Sequence, residues 1–290
     1  MVRFEGNPIL KPLKPHHWES RYVFNPAVIR LGGRVHILYR AMGEDMVSRL
    51  GYASSRDGYH IDERLPFPVF VPATSYEKRG CEDPRLTDLE GRCVMTYTAY
   101  GDIYQIGITS ISIENILEKR WEWGERTFPF PNVKNKNAVI FPRRVSDRYV
   151  MCHRLDPSIY IAYSKDLRSW NRNKPVMRPR RESWDCLKIG AAGPPIEIDE
   201  GWLLVYHGVD ANRTYRLGVA ILDKENPEKV IYRSKKPILE PNEDYECVGL
   251  VPNVVFSCGV ILLDDQLMVY YGCADTVIGV AAFDLNEIII

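Results

Sequence analysis

The sequence lacks an excess of charge of either sign. Among its 290 residues, Lys and Arg together number 38 and Asp and Glu together also number 38, so the formal net charge is zero. A neutral chain without a basic block has no electrostatic preference for nucleic acid or for an anionic membrane surface. We therefore expect neither of these partners.

The sequence also lacks long hydrophobic runs and paired cysteines. No apolar run approaches the ~20 residues that cross a bilayer, and the segment Met1-Val2-Arg3-Phe4 does not begin a secretory signal. The seven cysteines are odd in number, and no two form a Cys-x-x-Cys pair. Buried free thiols in a reducing compartment explain this pattern better than a zinc site does. We expect a cytoplasmic protein.

What the sequence does contain is internal repetition. Five segments share a short apolar run, a turn with Gly or Asp, a second run ending in a polar residue, and a third run. The segments start at Asn25, Asp83, Asn137, Gly193 and Asn253, so successive starts lie 58, 54, 56 and 60 residues apart. Runs rich in β-branched and aromatic residues between such turns are typical of antiparallel strands.

This period predicts the fold. Three or four strands in each of five units indicate an all-β protein, a five-bladed β-propeller formed as a single domain by residues 1–290. A β-sandwich is the alternative, but sandwiches do not usually repeat a whole meander five times. Long helices are scarce, and residues 111–120 are the one short candidate.

The repeat also brings polar residues to one level. In a radial propeller, the start of each first strand and the end of the antiparallel second strand meet at the same mouth of the central channel. The second runs end at Arg40, Arg154 and His207, with residues 97–100 and Asp275 nearby in the other two units. Together with the strand starts and Lys188, these residues predict a pocket. Basic residues facing carboxylates suit an anionic ligand such as phosphate beside a polyhydroxylated one.

The segment 80–87 carries the strongest local signal, the tetrapeptide Glu82-Asp83-Pro84-Arg85. Proline fixes its own φ and holds the preceding residue extended. Neighbouring residues of an extended segment point to opposite faces, so we expect Glu82 and Asp83 to have different roles, with Glu82 structural or orienting a neighbour. The alternative is a structural Asp83 that forms an ion pair with Arg85.

These motifs resemble glycoside hydrolase family 130, the β-mannoside phosphorylases and β-mannosidases, whose members are five-bladed propellers. The resemblance spans nearly the whole chain and rests on Phe24-Asn25-Pro26-Ala27, Tyr39-Arg40-Ala41, Glu82-Asp83-Pro84-Arg85, Lys136-Asn137-Ala138-Val139-Ile140-Phe141-Pro142, His153-Arg154, Gly193-Pro194-Pro195, Tyr206-His207-Gly208 and Tyr271-Gly272-Cys273-Ala274-Asp275.

The resemblance implies a role for each matching residue. Asp83 would be the general acid that protonates the glycosidic oxygen, either directly or through a sugar hydroxyl. Phosphate would be bound by Arg40, Lys136, Asn137, Arg154, Lys188, His207 and Tyr215. The mannosyl unit would be bound by Asn25, Arg40, Asp83 and Asp275. From their position after the second run of the second unit, Tyr100 and Asp102 are candidates for the acceptor subsite.

The chemistry fits this residue set. An inverting glycosidase needs an acid and a base ~6.5–9.5 Å apart to activate water, whereas phosphate is already an anionic nucleophile and needs no base. The basic residues at Arg154, Lys188 and His207 therefore imply the phosphorylase branch, with inorganic phosphate as co-substrate and no metal or organic cofactor. The expected product is α-D-mannose 1-phosphate.

The choice of substrate stays open. β-1,2-Mannobiose or β-1,2-oligomannan is favoured, and β-1,4-mannooligosaccharide or mannosylglucose comes next. A β-mannosidase of the same fold and a sugar-binding propeller without catalysis are the alternatives. The sequence leaves the oligomeric state open, with a homodimer as the working assumption.

Overall fold

Short strands separated by turns make up almost the whole molecule. The computed structural model describes residues 1–263 and 265–288; position 264 in the fifth repeat and positions 289–290 of the predicted domain lie outside the described residues. The strands form five antiparallel sheets, which we call blades 1 to 5 in chain order. The longest helix among the described residues has five residues, far short of a membrane span.

The strand bounds follow the chain. Strand β1 (Val2–Arg3) pairs with the last blade. Blade 1 contains β2 (Tyr22–Leu31), β3 (Arg34–Met42), β4 (Arg49–Ser55) and β5 (Glu63–Arg64). Blade 2 contains β6 (Gly80–Leu89), β7 (Arg92–Tyr100) and β8 (Tyr104–Ser112). Blade 3 contains β9 (Lys136–Ile140), β10 (Tyr149–Leu155), β11 (Ser158–Ser164) and β12 (Trp170–Met177). Blade 4 contains β13 (Lys188–Ala191), β14 (Ile196–Ile198), β15 (Gly201–Val209), β16 (Tyr215–Leu222) and β17 (Val230–Arg233). Blade 5 contains β18 (Val255–Leu263), β19 (Gln266–Cys273) and β20 (Val277–Asp284).

The helices are short. They are α1 (Ile113–Leu117), which lies inside the predicted helical segment, α2 (Asp244–Cys247) and α3 (Leu285–Ile288). Two single 3-10 turns cover His17–Glu19 and Ser75–Glu77, just before the first strands of blades 1 and 2.

The core lies between the blades. One cluster of buried apolar side chains fills each gap between neighbouring blades, and the cluster that joins Val23 and Ile37 of blade 1 to Tyr270 and Val280 of blade 5 closes the ring. This arrangement confirms the predicted all-β, five-bladed propeller. All seven cysteines are unpaired and five of them are buried.

A buried carboxylate recurs beside the second strand of four blades. Each is fully buried, accepts a hydrogen bond from a tyrosine of the second strand, and forms an ion pair with an arginine. The acid, tyrosine and arginine are Glu19, Tyr39 and Arg64 in blade 1, Glu77, Tyr97 and Arg126 in blade 2, Asp185, Tyr206 and Arg233 in blade 4, and Glu246, Tyr271 and Arg3 in blade 5. The arginine of the fifth cluster comes from the N-terminal strand, so this ion pair ties the two ends of the ring together.

Blade 3 has an uncharged version of the same cluster. His153 takes the place of the tyrosine, and its ring nitrogens lie within hydrogen-bond distance of Asn135 and Asn173. Burial lowers the pKa of His153 to about 4, so the ring is neutral near pH 7.

Strand pairing corrects two of the predicted repeat starts. In blades 1 and 3, Arg40 and Arg154 lie opposite Phe24 and Lys136, the residues just before Asn25 and Asn137. The same pairing places His207 opposite Gly190 and Gly272 opposite Phe256. The residues equivalent to Asn25 are therefore Ala191 in blade 4 and Ser257 in blade 5.

The predicted starts at Gly193 and Asn253 are wrong for this level of the channel, for physical reasons that differ between the blades. In blade 4 the first strand is interrupted after Ala191 by Gly193-Pro194-Pro195, where proline cannot donate to the ladder. In blade 5, Asn253 precedes the first strand and is exposed.

Candidate functional site

A cavity opens at the end of the channel where the first strands begin and the second strands end. Its volume is about 160 Å³. It is lined by Asn25, Arg40, Asp83, Lys136, Asn137, Arg154, Lys188, Tyr215, Val251, Val254, Phe256 and Asp275. Nine of the twelve predicted site residues are therefore brought together here.

A left-handed backbone turns the polar side chains of the first strands into this cavity. Asn25, Asp83 and Asn137 have φ values of +50°, +48° and +56°, a region that Asn and Asp tolerate better than other residues with a side chain. The pairing register of β2 and β6 shifts at Asn25 and Asp83, as expected at a β-bulge. Bulges of this kind re-aim side chains.

The bulge at Asp83 overturns the expected alternation. Asp83 is not extended, and both Glu82 and Asp83 contact the same guanidinium, that of Arg40. The predicted ion pair between Asp83 and Arg85 is also wrong. Arg85 donates through Nη1 to the backbone carbonyl of Asp83 and through Nε to the carbonyl of Ala192 in blade 4, both at 2.7 Å. Arg85 thus reaches across the channel and joins blades 2 and 4.

Asp83 is held by one of its two carboxylate oxygens. Its Oδ1 accepts from Asn25 Nδ2 at 2.8 Å and from Arg40 Nη1 at 3.2 Å, whereas no residue in the described chain donates to Oδ2. Burial would raise the pKa of Asp83, but the positive charges of Arg40, Lys136 and Arg85 outweigh it and hold that pKa below its usual value.

Arg40 is anchored in three directions. Its Nε donates to Ser48 Oγ at 2.8 Å and its Nη2 to Glu82 Oε1 at 2.7 Å, in addition to the Asp83 contact. The guanidinium carbon also lies 4.6 Å from the centre of the Phe24 ring. Nη2 also donates to Met42 Sδ at 3.9 Å, so of the five N–H groups one, on Nη1, is left for a ligand.

The opposite side of the cavity carries cations that lack carboxylate partners. Within residues 1–263 and 265–288, neither Lys136 nor Lys188 forms an ion pair; their ammonium groups lie 4.7 Å and 5.3 Å from the ring centres of Tyr104 and Tyr215. Burial lowers the pKa of Lys136, as expected for a buried ammonium group to which no anion is bound.

Arg154 and Asn137 complete this side. Arg154 Nε lies 2.8 Å from Asp156 Oδ1, but in a geometry too bent for a hydrogen bond. Both the Nδ2 and the Oδ1 atoms of Asn137 are buried without a hydrogen-bond partner. Because a buried amide rarely stays unpaired, Asn137 indicates a polar ligand at this place.

His207 lies behind the cavity rather than in its lining. It is fully buried, its ring centre lies 4.6 Å from that of Phe256, and its Nε2 lies 3.4 Å from Arg154 Nη1. Burial and then the charge of Arg154 hold the pKa of His207 well below its usual value. The ring is therefore neutral and accepts a hydrogen bond from Arg154, and a role of His207 in binding phosphate stays a prediction.

Asp275 is the second carboxyl group in the cavity. Burial raises its pKa to about 6, and the negative charges of Asp83 and Glu82 act in the same direction against Arg40. The two carboxyl groups thus differ in outcome: at Asp83 the positive charges outweigh burial, whereas at Asp275 burial outweighs the positive charges of Arg40 and Lys136.

Two predicted residues lie outside the cavity. Asp102 is exposed and forms an ion pair with Lys78 at 2.5 Å, and the Tyr100 hydroxyl accepts a hydrogen bond from Arg79 at 3.2 Å. Conversely, the apolar wall of Val251, Val254 and Phe256 was not foreseen. Its only sequence signal is the run 251–256 at the start of the fifth repeat.

Comparison with known proteins agrees with this geometry. The profile of the family described as beta-1,4-mannooligosaccharide phosphorylase, glycoside hydrolase family 130, matches residues 2–290. Over 99% of its length this chain is 43% identical to a 1,2-beta-oligomannan phosphorylase and to a beta-1,2-mannobiose phosphorylase, both from Thermoanaerobacter sp. (strain X514), and each match covers 98% of the relative. A solved beta-1,2-mannobiose phosphorylase from Listeria innocua, in complex with beta-1,2-mannobiose, superposes with a TM-score of 0.87 and 27% identity over 99% of this chain and 97% of that one.

Proposed function

The chain belongs to glycoside hydrolase family 130, and we propose that it is an inverting phosphorylase of β-1,2-linked mannobiose and oligomannan. Inorganic phosphate is the co-substrate, and α-D-mannose 1-phosphate and the shortened sugar are the products. The choice of a β-1,2 linkage rests on the names of the two Thermoanaerobacter relatives, which match over nearly their whole length. β-1,4-Mannooligosaccharide is the next candidate, after the description of the family profile.

The observation that carries this proposal is the separation of charge across the cavity. Asp83 and Asp275 belong to blades 2 and 5, whereas Lys136, Arg154 and Lys188 belong to blades 3 and 4, where Arg154 is the one cation of the three with a carboxylate within ion-pair distance among the described residues. Charge-assisted hydrogen bonds from Lys and Arg are the usual means of binding a phosphate dianion. A site that held water as the nucleophile would have no need for this cluster.

The proposed reaction is a single displacement. A phosphate oxygen, held by Lys136, Asn137, Arg154 and Lys188, attacks the anomeric carbon from the face opposite the leaving sugar. The bond from that carbon to the glycosidic oxygen breaks, and the oxygen takes the proton of Asp83. Asn25, Arg40 and Asp275 hold the mannosyl unit.

Phosphate binding also raises the pKa of Asp83, the proposed general acid. In the free protein, nearby cations hold the pKa of Asp83 low, which favours the ionised form. A bound phosphate dianion places negative charge beside Lys136 and offsets its effect on Asp83, so the pKa of Asp83 rises when the co-substrate is present. The proton is then available in the complex in which it is needed.

The test is incubation with β-1,2-mannobiose and, separately, β-1,4-mannobiose, each with and without phosphate. Mannose 1-phosphate formed from the β-1,2 substrate only when phosphate is added is the expected result. Free mannose released without phosphate would indicate a hydrolase, and binding without either product would indicate a sugar-binding protein. Arg154→Ala is the matched variant, because it should weaken phosphate binding and so lower phosphate-dependent turnover without removing Asn25 and Arg40 on blade 1.

A further inference from the structure

The contact between Arg40 and Asp83 is unusual because it uses one oxygen only. Arginine and a carboxylate commonly form two parallel hydrogen bonds. Here Nη1 of Arg40 reaches Oδ1 of Asp83, but Nη2 is turned away and donates to Glu82 Oε1 at the shorter distance of 2.7 Å. Asn25 also binds Oδ1, so both donors crowd one oxygen of Asp83 and leave the other.

We propose that Glu82 is a positioning residue: by holding Nη2 of Arg40 it prevents a two-point pair with Asp83 and leaves Oδ2 free to carry the transferred proton. This inference rests on the proposed function, because it assigns Oδ2 as the donor atom to the glycosidic oxygen. Without Glu82, Nη2 would be released next to Asp83, and the two-point pair would occupy Oδ2.

The surroundings of Glu82 support a specific role. Its side chain is only 9% exposed. Burying a carboxylate carries a desolvation penalty that an apolar residue packed at the same place would not have. Ser48 fixes Nε of Arg40 from the opposite direction, so the guanidinium cannot follow Glu82 away from the cavity. The register shift at Asp83 places both carboxylates on one guanidinium.

Removing Glu82 also acts through charge. The ionisable groups that influence Asp83 or share its surroundings come from five elements, namely Arg40 on β3, Glu82 and Arg85 on β6, Lys136 on β9, Cys258 on β18 and Asp275 after β19. Loss of the negative charge at Glu82 leaves the cations among them less opposed. Charge and hydrogen bonding therefore both lower the pKa of Asp83 in a Glu82 variant.

The test uses Glu82→Gln, which keeps the volume and one acceptor oxygen, and Glu82→Ala, which keeps neither. We expect kcat for mannobiose phosphorolysis to fall about tenfold in the first and further in the second, with KM for mannobiose changed less than twofold. Because a lower pKa of Asp83 means less of its protonated form at a given pH, the basic limb of the kcat profile should move to lower pH. Glu44→Gln is the matched control, since Glu44 is exposed and, among the described residues, pairs only with Arg21.

A carboxyl ¹³C NMR titration of the free protein tests the contact without turnover. Asp83 should titrate at lower pH in Glu82→Gln than in the wild type and in Glu44→Gln. Ser48→Ala, which loosens Nε of Arg40 and alters no charge, should shift this titration in the same direction by less. An unchanged Asp83 titration together with a wild-type pH profile would overturn the proposal. A wild-type protein that forms no mannose 1-phosphate would instead refute the proposed function, and the titration would still decide whether Glu82 holds Arg40 away from Asp83.

Discussion

The ion pair between Arg3 and Glu246 offers a direct test of how the ring is closed. Arg3 Nε lies 2.8 Å from Glu246 Oε1, the arginine is 16% exposed, and the carboxylate is fully buried. Removing one partner of a buried pair costs about 3–5 kcal/mol. In Arg3→Met, Glu246 keeps the Tyr271 hydroxyl at 2.8 Å and the N–H of Asn242 at 2.8 Å, so we expect the lower end, about 3 kcal/mol.

Thermal and urea denaturation followed by circular dichroism measure this change. At about 2 °C per kcal/mol for a chain of this size, Tm should fall by about 6 °C. The control Arg21→Met breaks an exposed pair with Glu44 and should cost less than about 1 kcal/mol. In Arg3→Met/Glu246→Gln, which leaves no buried charge unpaired, part of the loss should be recovered. Equal Tm values for Arg3→Met and Arg21→Met would refute the view that this pair closes the propeller.

Three further predictions concern the cavity. Asp83→Asn should lower kcat by about 10²–10⁴-fold while phosphate still binds by calorimetry, whereas Asp102→Asn, on an exposed carboxylate paired with Lys78, should leave kcat unchanged. Lys188→Ala should raise KM for phosphate about ten- to hundredfold with little change in KM for mannobiose, as measured by initial rates with either substrate varied. The pKa of Asp275 rises from 3.8 to about 6 on folding, so its carboxyl group stabilises the fold fully below about pH 4, and this stabilisation is lost as the pH rises through 6. Relative to the wild type, Asp275→Asn should therefore gain about 2 kcal/mol between pH 4 and pH 7 in urea denaturation, and a constant difference would contradict this.

The period of the sequence predicts the fold well because each blade is a local meander. Apolar runs, Gly and Asp turns, and a spacing of 54 to 60 residues are enough to indicate five blades. The same reasoning places Asn25, Asp83 and Asn137 at one level of the channel, and the structure agrees. It fails for Gly193 and Asn253, because strand pairing rather than the start of an apolar run sets the level.

Backbone conformation is the main thing the sequence does not reveal. A proline after Asp83 suggests an extended residue, yet Asp83 has a φ of +48° and shares Arg40 with Glu82. The buried carboxylates, by contrast, could have been predicted from the sequence. An aromatic residue followed by an acid recurs before the first strands of four blades, as Trp18-Glu19, Tyr76-Glu77, Trp184-Asp185 and Tyr245-Glu246. These acids are the buried carboxylates, and the missing fifth copy marks blade 3, where the cluster is neutral.

One site arises from five similar blades because the residue at a single register position varies among them. The second strands bring Arg40, Thr98, Arg154, His207 and Gly272 to the same level. The glycine is needed because a Cβ at position 272 would collide with the side chain of Asn25, which holds Asp83. The neutral histidine orients Arg154 without adding a charge, so blades 3 and 4 contribute three cations to the cavity, Lys136, Arg154 and Lys188, in addition to Arg40 of blade 1. The repeat supplies the common level, and these departures from it separate the acid side of the cavity from the phosphate side.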